Sequence, residues 1–169
     1  MILQGYSARV AREWYTHIGG MPTRLQASTR YIDYEHGFDY IIPPSVENNF
    51  DALSVYLQTI DSINEGLLQL SNLGIPKEDC AMLLPLGMST TVVCKHNLRN
   101  LMDMSRQRMC SRAYWEYRIL FKDLCNALRE YSEEWAYIVD NYFKPKCEIL
   151  GYCQEKFSCK KYPKLKEVR

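Results

Sequence analysis

Hydrophobic positions recur at the helical period over most of this chain. In residues 4–18 (QGYSARVAREWYTHI), Val10, Trp14 and Ile18 (or Tyr15) fall on one face, which predicts a helix stopped by Gly19-Gly20 and Pro22. Residues 21–31 show no period and read as irregular. Phe38-Asp39-Tyr40-Ile41-Ile42 reads as a short strand ended by Pro43-Pro44. Ser45, with Glu47 and Asn48 in the first turn, is placed to cap a long helix running to about Leu73. Its apolar positions are Phe50, Leu53, Leu57, Ile60, Ile63 and Leu67/Leu68, and Gly74 closes it. Pro76 starts a short helix with Glu78 and Asp79 in its first turn, where the helix dipole favours acids, and Pro85-Leu86-Gly87 breaks it. Ser89–Cys94 is rich in β-branched residues and reads either as a strand or as the extended start of a helix. From Asn97 the helical pattern covers 97–106, 108–130 and 132–143, ending before Pro145. The whole predicts a mainly helical chain with one or two short strands.

Composition adds limits. A length of 169 residues suits one domain, and 47% hydrophobic with 24% charged residues is ordinary for a globular chain. The longest apolar stretch, Cys80–Met88, contains Pro85 and Gly87 and falls well short of the about 20 residues a spanning helix needs. Arg9 and Arg12 interrupt the place where a signal peptide would have its apolar core, so a soluble, cytoplasmic protein with no membrane partner is expected. Seven cysteines, an odd number, argue against a secreted disulfide framework, and thirteen tyrosines point to hydroxyls at interfaces or in ligand clefts. The net charge of +1 favours no acidic partner by itself.

The distribution of charge says more. Residues 95–118 hold Lys95, Arg99, Arg106, Arg108, Arg112 and Arg118 against Asp103 and Glu116. On a helix, Arg99–Asp103, Arg108–Arg112 and Arg112–Glu116 each share a face. This is either a solvated face laced with ion pairs or a set of guanidinium forks for phosphate and carboxylate groups. A second cluster, Thr23-Arg24-Leu25-Gln26-Ala27-Ser28-Thr29-Arg30-Tyr31, is either an ordinary polar loop or a phosphate cradle with an amide for a base.

Together the two clusters resemble the flavin-dependent thymidylate synthases. The second half of that family's signature matches without a gap: Leu84-Pro85 with Thr90, then Asn97-Leu98-Arg99, then Arg108 and Ala113-Tyr114-Trp115-Glu116. The first half keeps Ser28-Thr29-Arg30-Tyr31 and an upstream His17. The likeness covers about residues 5–131. It implies an α+β fold, mainly helical with a small antiparallel sheet, in a domain over 1–143 that lacks the family's usual N-terminal strand–helix part. Residues 144–169 then form a basic tail.

The resemblance also implies the chemistry: reductive methylation of dUMP to dTMP, with FAD as cofactor and NADPH and methylenetetrahydrofolate as co-substrates. Arg108 would lie against the uracil and stabilise charge developing on the ring, as the catalytic group. Gln26, Ser28 and Arg30 would hold the nucleotide. Asn97, Arg99 and Asp103 would line the flavin site, with His17 beside the isoalloxazine ring and Arg112 at the position of the family's flavin-contacting His. The family is a homotetramer whose sites combine several subunits. Besides that arginine for histidine at 112, this chain departs from the pattern in four ways. Thr16 and Ile18 flank His17 where the signature has arginines, two extra residues separate His17 from Ser28, Ala81 stands at a nucleotide-binding Arg, and Asp103 replaces an Asn. Arg12, Arg24 and Arg112 are candidates to compensate.

Other residues carry blander expectations. His36 and His96 read as surface or hinge residues. Met102, Met109, Trp115 and Trp135 read as core or subunit-interface packing. Cys110 sits among arginines that would lower its pKa, with no base beside it. In the tail, eight Lys/Arg face three Glu, and Cys147, Cys153 and Cys159 are spaced by five residues each. Zinc ligands usually pair at two to four residues and no fourth ligand is evident nearby, so no metal is expected. Two other function classes remain open: a non-catalytic nucleotide- or flavin-binding homologue, and a helical module whose basic tail contacts RNA, although nucleic acid is not the expected partner.

Overall fold

Ser7 decides how the chain begins. In the computed structural model, which describes residues 1–168, strand β1 (Ile2–Ser7) runs directly into helix α1 (Ala8–Trp14), and the Ser7 hydroxyl accepts the Val10 amide at 3.2 Å as the cap. The predicted helix over 4–18 is therefore strand at its first four residues and helix only over Ala8–Trp14. Its period was real only where Val10, Ala11 and Trp14 bury one face, and Ile18 is exposed. β1 pairs antiparallel with β3 (Ser89–Lys95), which settles the ambiguous Ser89–Cys94 segment as a strand with Val92 and Cys94 buried and Val93 exposed. The register changes between Leu3 and Tyr6, so that β1 spends one extra residue there. Gly5, at φ +78°, supplies the backbone conformation that this bulge needs.

The third strand, β2 (Thr23–Gln26), lies on the other side of β3, giving the order β1-β3-β2. It corrects the irregular reading of 21–31. Four residues are too few for alternation to announce a strand. Conversely, Phe38–Ile42 is not a strand. Tyr40 makes an isolated bridge to Met88, and the Ile41 carbonyl takes the Tyr56 hydroxyl at 2.9 Å.

The predicted long helix is two. A turn, α2 (Pro44–Glu47), precedes α3 (Phe50–Asn72), which starts at Asn49, whose side chain accepts the Ala52 amide at 3.0 Å. Ile60 and Leu67 are the buried residues of α3, whereas Phe50 is exposed. After α4 (Lys77–Cys80) and a 3₁₀ turn (Ala81–Leu83), β3 leads into α5 (Leu98–Arg108). Helices α6 (Trp115–Tyr131) and α7 (Glu133–Tyr142) share Ser132 as the residue between them, and its hydroxyl caps α7 by accepting the Trp135 amide. Tyr117, Leu120, Phe121 and Leu124 form the buried stripe of α6, with Phe121 and Phe143 ring centroids 6.0 Å apart and Arg129 bound to Asp140 at 2.9 Å. Two short helices follow, α8 (Lys146–Leu150) and α9 (Leu165–Val168). Arg169, the last basic residue of the tail, lies outside the described residues.

Contacts divide the chain into two units, Met1–Tyr15 with Arg24–Cys94 and Thr16–Thr23 with Lys95 onward. The architecture is α+β, about half helical with a small antiparallel sheet, as expected. No helix among the described residues is long and apolar enough to cross a membrane.

Candidate active site

Helix α5 organises the second unit's share of the predicted site. Asn97 caps it: the side-chain oxygen accepts the Asn100 amide at 2.8 Å, while the side-chain nitrogen donates to the Gly20 carbonyl at 3.0 Å. One side chain thus ends the helix and holds the 16–23 loop. Asn100, buried one turn on, adds a hydrogen bond from its amide to the His17 carbonyl at 3.3 Å. Gly20 is at φ +77°, and a Cβ there would meet the Asn97 side chain at 2.4 Å, so the loop approaches the cap this closely only as glycine.

The loop carries His17 to the far end of the same helix. Arg108, the last residue of α5, donates from Nε to His17 Nε2 at 2.9 Å. An imidazole nitrogen that accepts from a guanidinium bears no proton, so this contact is made by neutral His17 with its proton on Nδ1. The guanidinium also lies over the Tyr117 ring, 4.4 Å from its centroid, and that ring meets His17 edge-on at 6.0 Å. Tyr117 is fully buried, which fixes the platform under the charge. Sequence reading singled out neither residue: Tyr117 fell unremarked within the helical pattern over 108–130, and Asn100 within that over 97–106.

Asp103 takes two arginines, Arg99 at 3.2 Å and Arg106 at 2.9 Å. Arg99 and Asp103 therefore share a face as the four-residue spacing predicts. The other two pairs do not, because α5 ends at Arg108 and helix resumes only at Trp115. Arg112 instead sits in the intervening turn, where it donates to the Phe157 carbonyl at 3.2 Å and lies over that ring at 5.5 Å. Met102 and Trp115 are half-buried and Met109 is 37% exposed. The core methionine of α5 is Met104, one face round from the predicted positions.

The nucleotide candidates lie in the first unit. Gln26 donates to the Thr90 hydroxyl at 3.3 Å, and the Ser28 hydroxyl accepts the Arg30 amide at 3.3 Å in a short turn. Arg30 is exposed and bound to Glu78 at 2.7 Å. Beside it Lys77 pairs with Asp33, whose carboxyl that ammonium holds below the usual range. Of the arginines offered as compensation, Arg24 is engaged with Tyr15, donating to its carbonyl at 3.1 Å and lying over its ring. The structure therefore brings His17 and Arg108 into contact, gathers Asn97, Arg99 and Asp103 along one helix, and puts Gln26, Ser28 and Arg30 on a different unit.

Comparison with known proteins agrees with the motifs. The family model described as "Thymidylate synthase complementing protein" matches residues 1–132. The flavin-dependent thymidylate synthase of Nitratidesulfovibrio vulgaris is 30% identical over 148 residues, covering 82% of this chain and 58% of that protein. Those of Clostridium tetani and Pyrococcus horikoshii are 26% identical over 163 residues and 30% identical over 141, covering 85% and 78% of this chain. The chain spans 62% and 55% of the length of these two relatives. With one family model spanning most of its sequence and the signature residues on the elements just described, this chain belongs to the flavin-dependent thymidylate synthase family.

Proposed function

We propose that this chain catalyses the reductive methylation of dUMP to dTMP, with FAD as cofactor and methylenetetrahydrofolate and NADPH as co-substrates. The observation that carries the reading is the held guanidinium of Arg108. A charged group clamped between His17 Nε2 and a buried aromatic face is pre-oriented, so it stabilises negative charge developing on a uracil ring without reorganising first. His17, neutral in this contact, adds no second cation that would repel Arg108.

The residues present fit the flavin. The start of α5 offers exposed Asn97 and Arg99, and the free amides at the positive end of an 11-residue helix suit a diphosphate. Asp103 is already neutralised by two arginines, so its replacement of an Asn does not place a bare carboxylate beside an anion. FAD, when bound, supplies the hydride relay from NADPH; the side chains bind, orient and polarise. Arg30 and Ser28 are assigned to the dUMP phosphate and Gln26 to its base or sugar. Taking up the phosphate frees Arg30 from an exposed pair with Glu78 that is worth at most about 1 kcal/mol, a small loss against a bidentate phosphate contact. Arg112 is assigned to the flavin side. The homotetrameric assembly and cytoplasmic setting that the resemblance implies are part of the same proposal.

Purified protein is expected to be yellow and to oxidise NADPH faster when dUMP is added, and the gene is expected to rescue a thymidine auxotroph. Colourless protein that takes up no added FAD would overturn the proposal. So would protein that binds dUMP by calorimetry yet forms no dTMP.

A further inference from the structure

The tail's cysteines meet a fourth one that the sequence did not place beside them. Cys147, Cys153 and Cys159 line a cavity of about 520 Å³, and the turn between α5 and α6 contributes Cys110 to the same cavity. All four are free thiols. The two sides of this space are tied together. Arg112, two residues after Cys110, grips the 153–159 loop through the Phe157 carbonyl and ring. Cys153 is buried, and its amide donates to the Pro163 carbonyl at 2.7 Å.

The surrounding chain is the kind that needs a staple. Between Leu150 and Leu165 there is no helix or strand, three of its four lysines are exposed, and Cys153 is the buried residue. Such a segment removes too little apolar surface from water to offset the entropy of ordering it, and loop-rich pieces of this kind are held by cross-links or metals.

We propose that Cys110, Cys147, Cys153 and Cys159 bind one zinc ion through four thiolates, a structural site that fixes the tail to the turn after α5. An all-sulfur donor set is soft and selects zinc over magnesium or calcium. Among the described residues no three ligating side chains already stand at coordinating distance, so binding draws the sulfurs inward to about 2.3 Å from the ion within the cavity they share. The four thiol protons leave to solvent and the centre carries two net negative charges. Arg106, Arg108, Arg112 and Lys146 line the same cavity against one carboxylate, Glu155, and offset them. This proposal goes beyond the catalytic reading and does not depend on flavin binding.

The test is metal analysis of the whole chain purified without chelators. About one zinc per chain is expected, released by a mercurial reagent into a metallochromic dye. Cys159→Ser, at an exposed position, is expected to weaken zinc retention more than about tenfold, and Cys147→Ser likewise. Cys125→Ala, at a buried thiol outside the cavity, is expected to retain zinc. Cobalt(II) in place of zinc is expected to show thiolate charge-transfer bands that Cys159→Ser diminishes. Protein that takes up no added zinc overturns the proposal, as does an unreduced mass short of the hydrogens lost to two disulfides. Iron with inorganic sulfide at these cysteines, or zinc indifferent to both serine variants, overturns it equally.

Discussion

Replacing Gly20 by Ala tests how the 16–23 loop and α5 hold each other. The new methyl group costs twice. At φ +77° an L side chain is strained by about 1–2 kcal/mol. Its Cβ would also stand 2.4 Å from the Asn97 amide nitrogen, which must swing away. That movement breaks the bond to the Gly20 carbonyl and releases the cap on the Asn100 amide. A cap is worth about 1 kcal/mol and a partly exposed hydrogen bond about the same, while the stiffer unfolded chain returns about 0.4–1 kcal/mol. The net expectation is a loss of about 2–3 kcal/mol, read as a lower urea midpoint with unchanged slope in tryptophan fluorescence. Asn97→Ala alone removes the cap and is expected to cost about 1–2 kcal/mol. In that background Gly20→Ala no longer meets a side chain, and only the backbone cost of about 1 kcal/mol is expected to remain. The two substitutions are then strongly non-additive. If Gly20→Ala costs under about 0.5 kcal/mol, or costs the same with and without Asn97, the argument that this glycine exists to admit Asn97 is wrong.

Three further outcomes follow from the same geometry. His17→Ala removes the acceptor that orients Arg108 and is expected to lower kcat/KM for dUMP by about 10–100-fold, as the loss of a charged hydrogen bond of about 1.5–3 kcal/mol requires, while Arg108→Ala costs more; an unchanged kcat/KM for both would show that the held guanidinium is irrelevant to turnover. Phe121→Ala, deep between α6 and Phe143, is expected to destabilise by about 3–5 kcal/mol in urea unfolding, and a loss below about 1 kcal/mol would refute its place in the core. After metal is stripped by chelation, alkylation followed by peptide mass analysis is expected to label Cys159 first and Cys125 last. Cys159 is exposed, and the Ser111 hydroxyl lowers its thiol pKa, whereas burial pushes Cys125 up to about 11; raising the pH toward that value is expected to recruit Cys125 only late, and early labelling would contradict its burial.

What could be read from the chain alone was whatever depends on neighbours in sequence. The presence of helices α3, α5, α6 and α7, the Arg99–Asp103 pair and the mainly helical class follow from periodicity, because a helix closes its hydrogen bonds within four residues, whereas the starts of α3 at Asn49 and of α6 at Trp115 were not legible. The motif spacing likewise named His17, Arg108, Asn97 and Arg99 through the family likeness. Periodicity misled where strand and helix met at Ser7 and where β2 was too short to alternate visibly, since strands are stabilised by partners far away in the chain. Which residues touch was decided by the tertiary structure. Arg108 finds His17 across 91 positions, and Cys110 joins three cysteines that begin 37 residues later. Those pairings exist because packing α6 against its neighbours folds distant turns together, and no local pattern encodes the distance between two turns once that packing has brought them into one place.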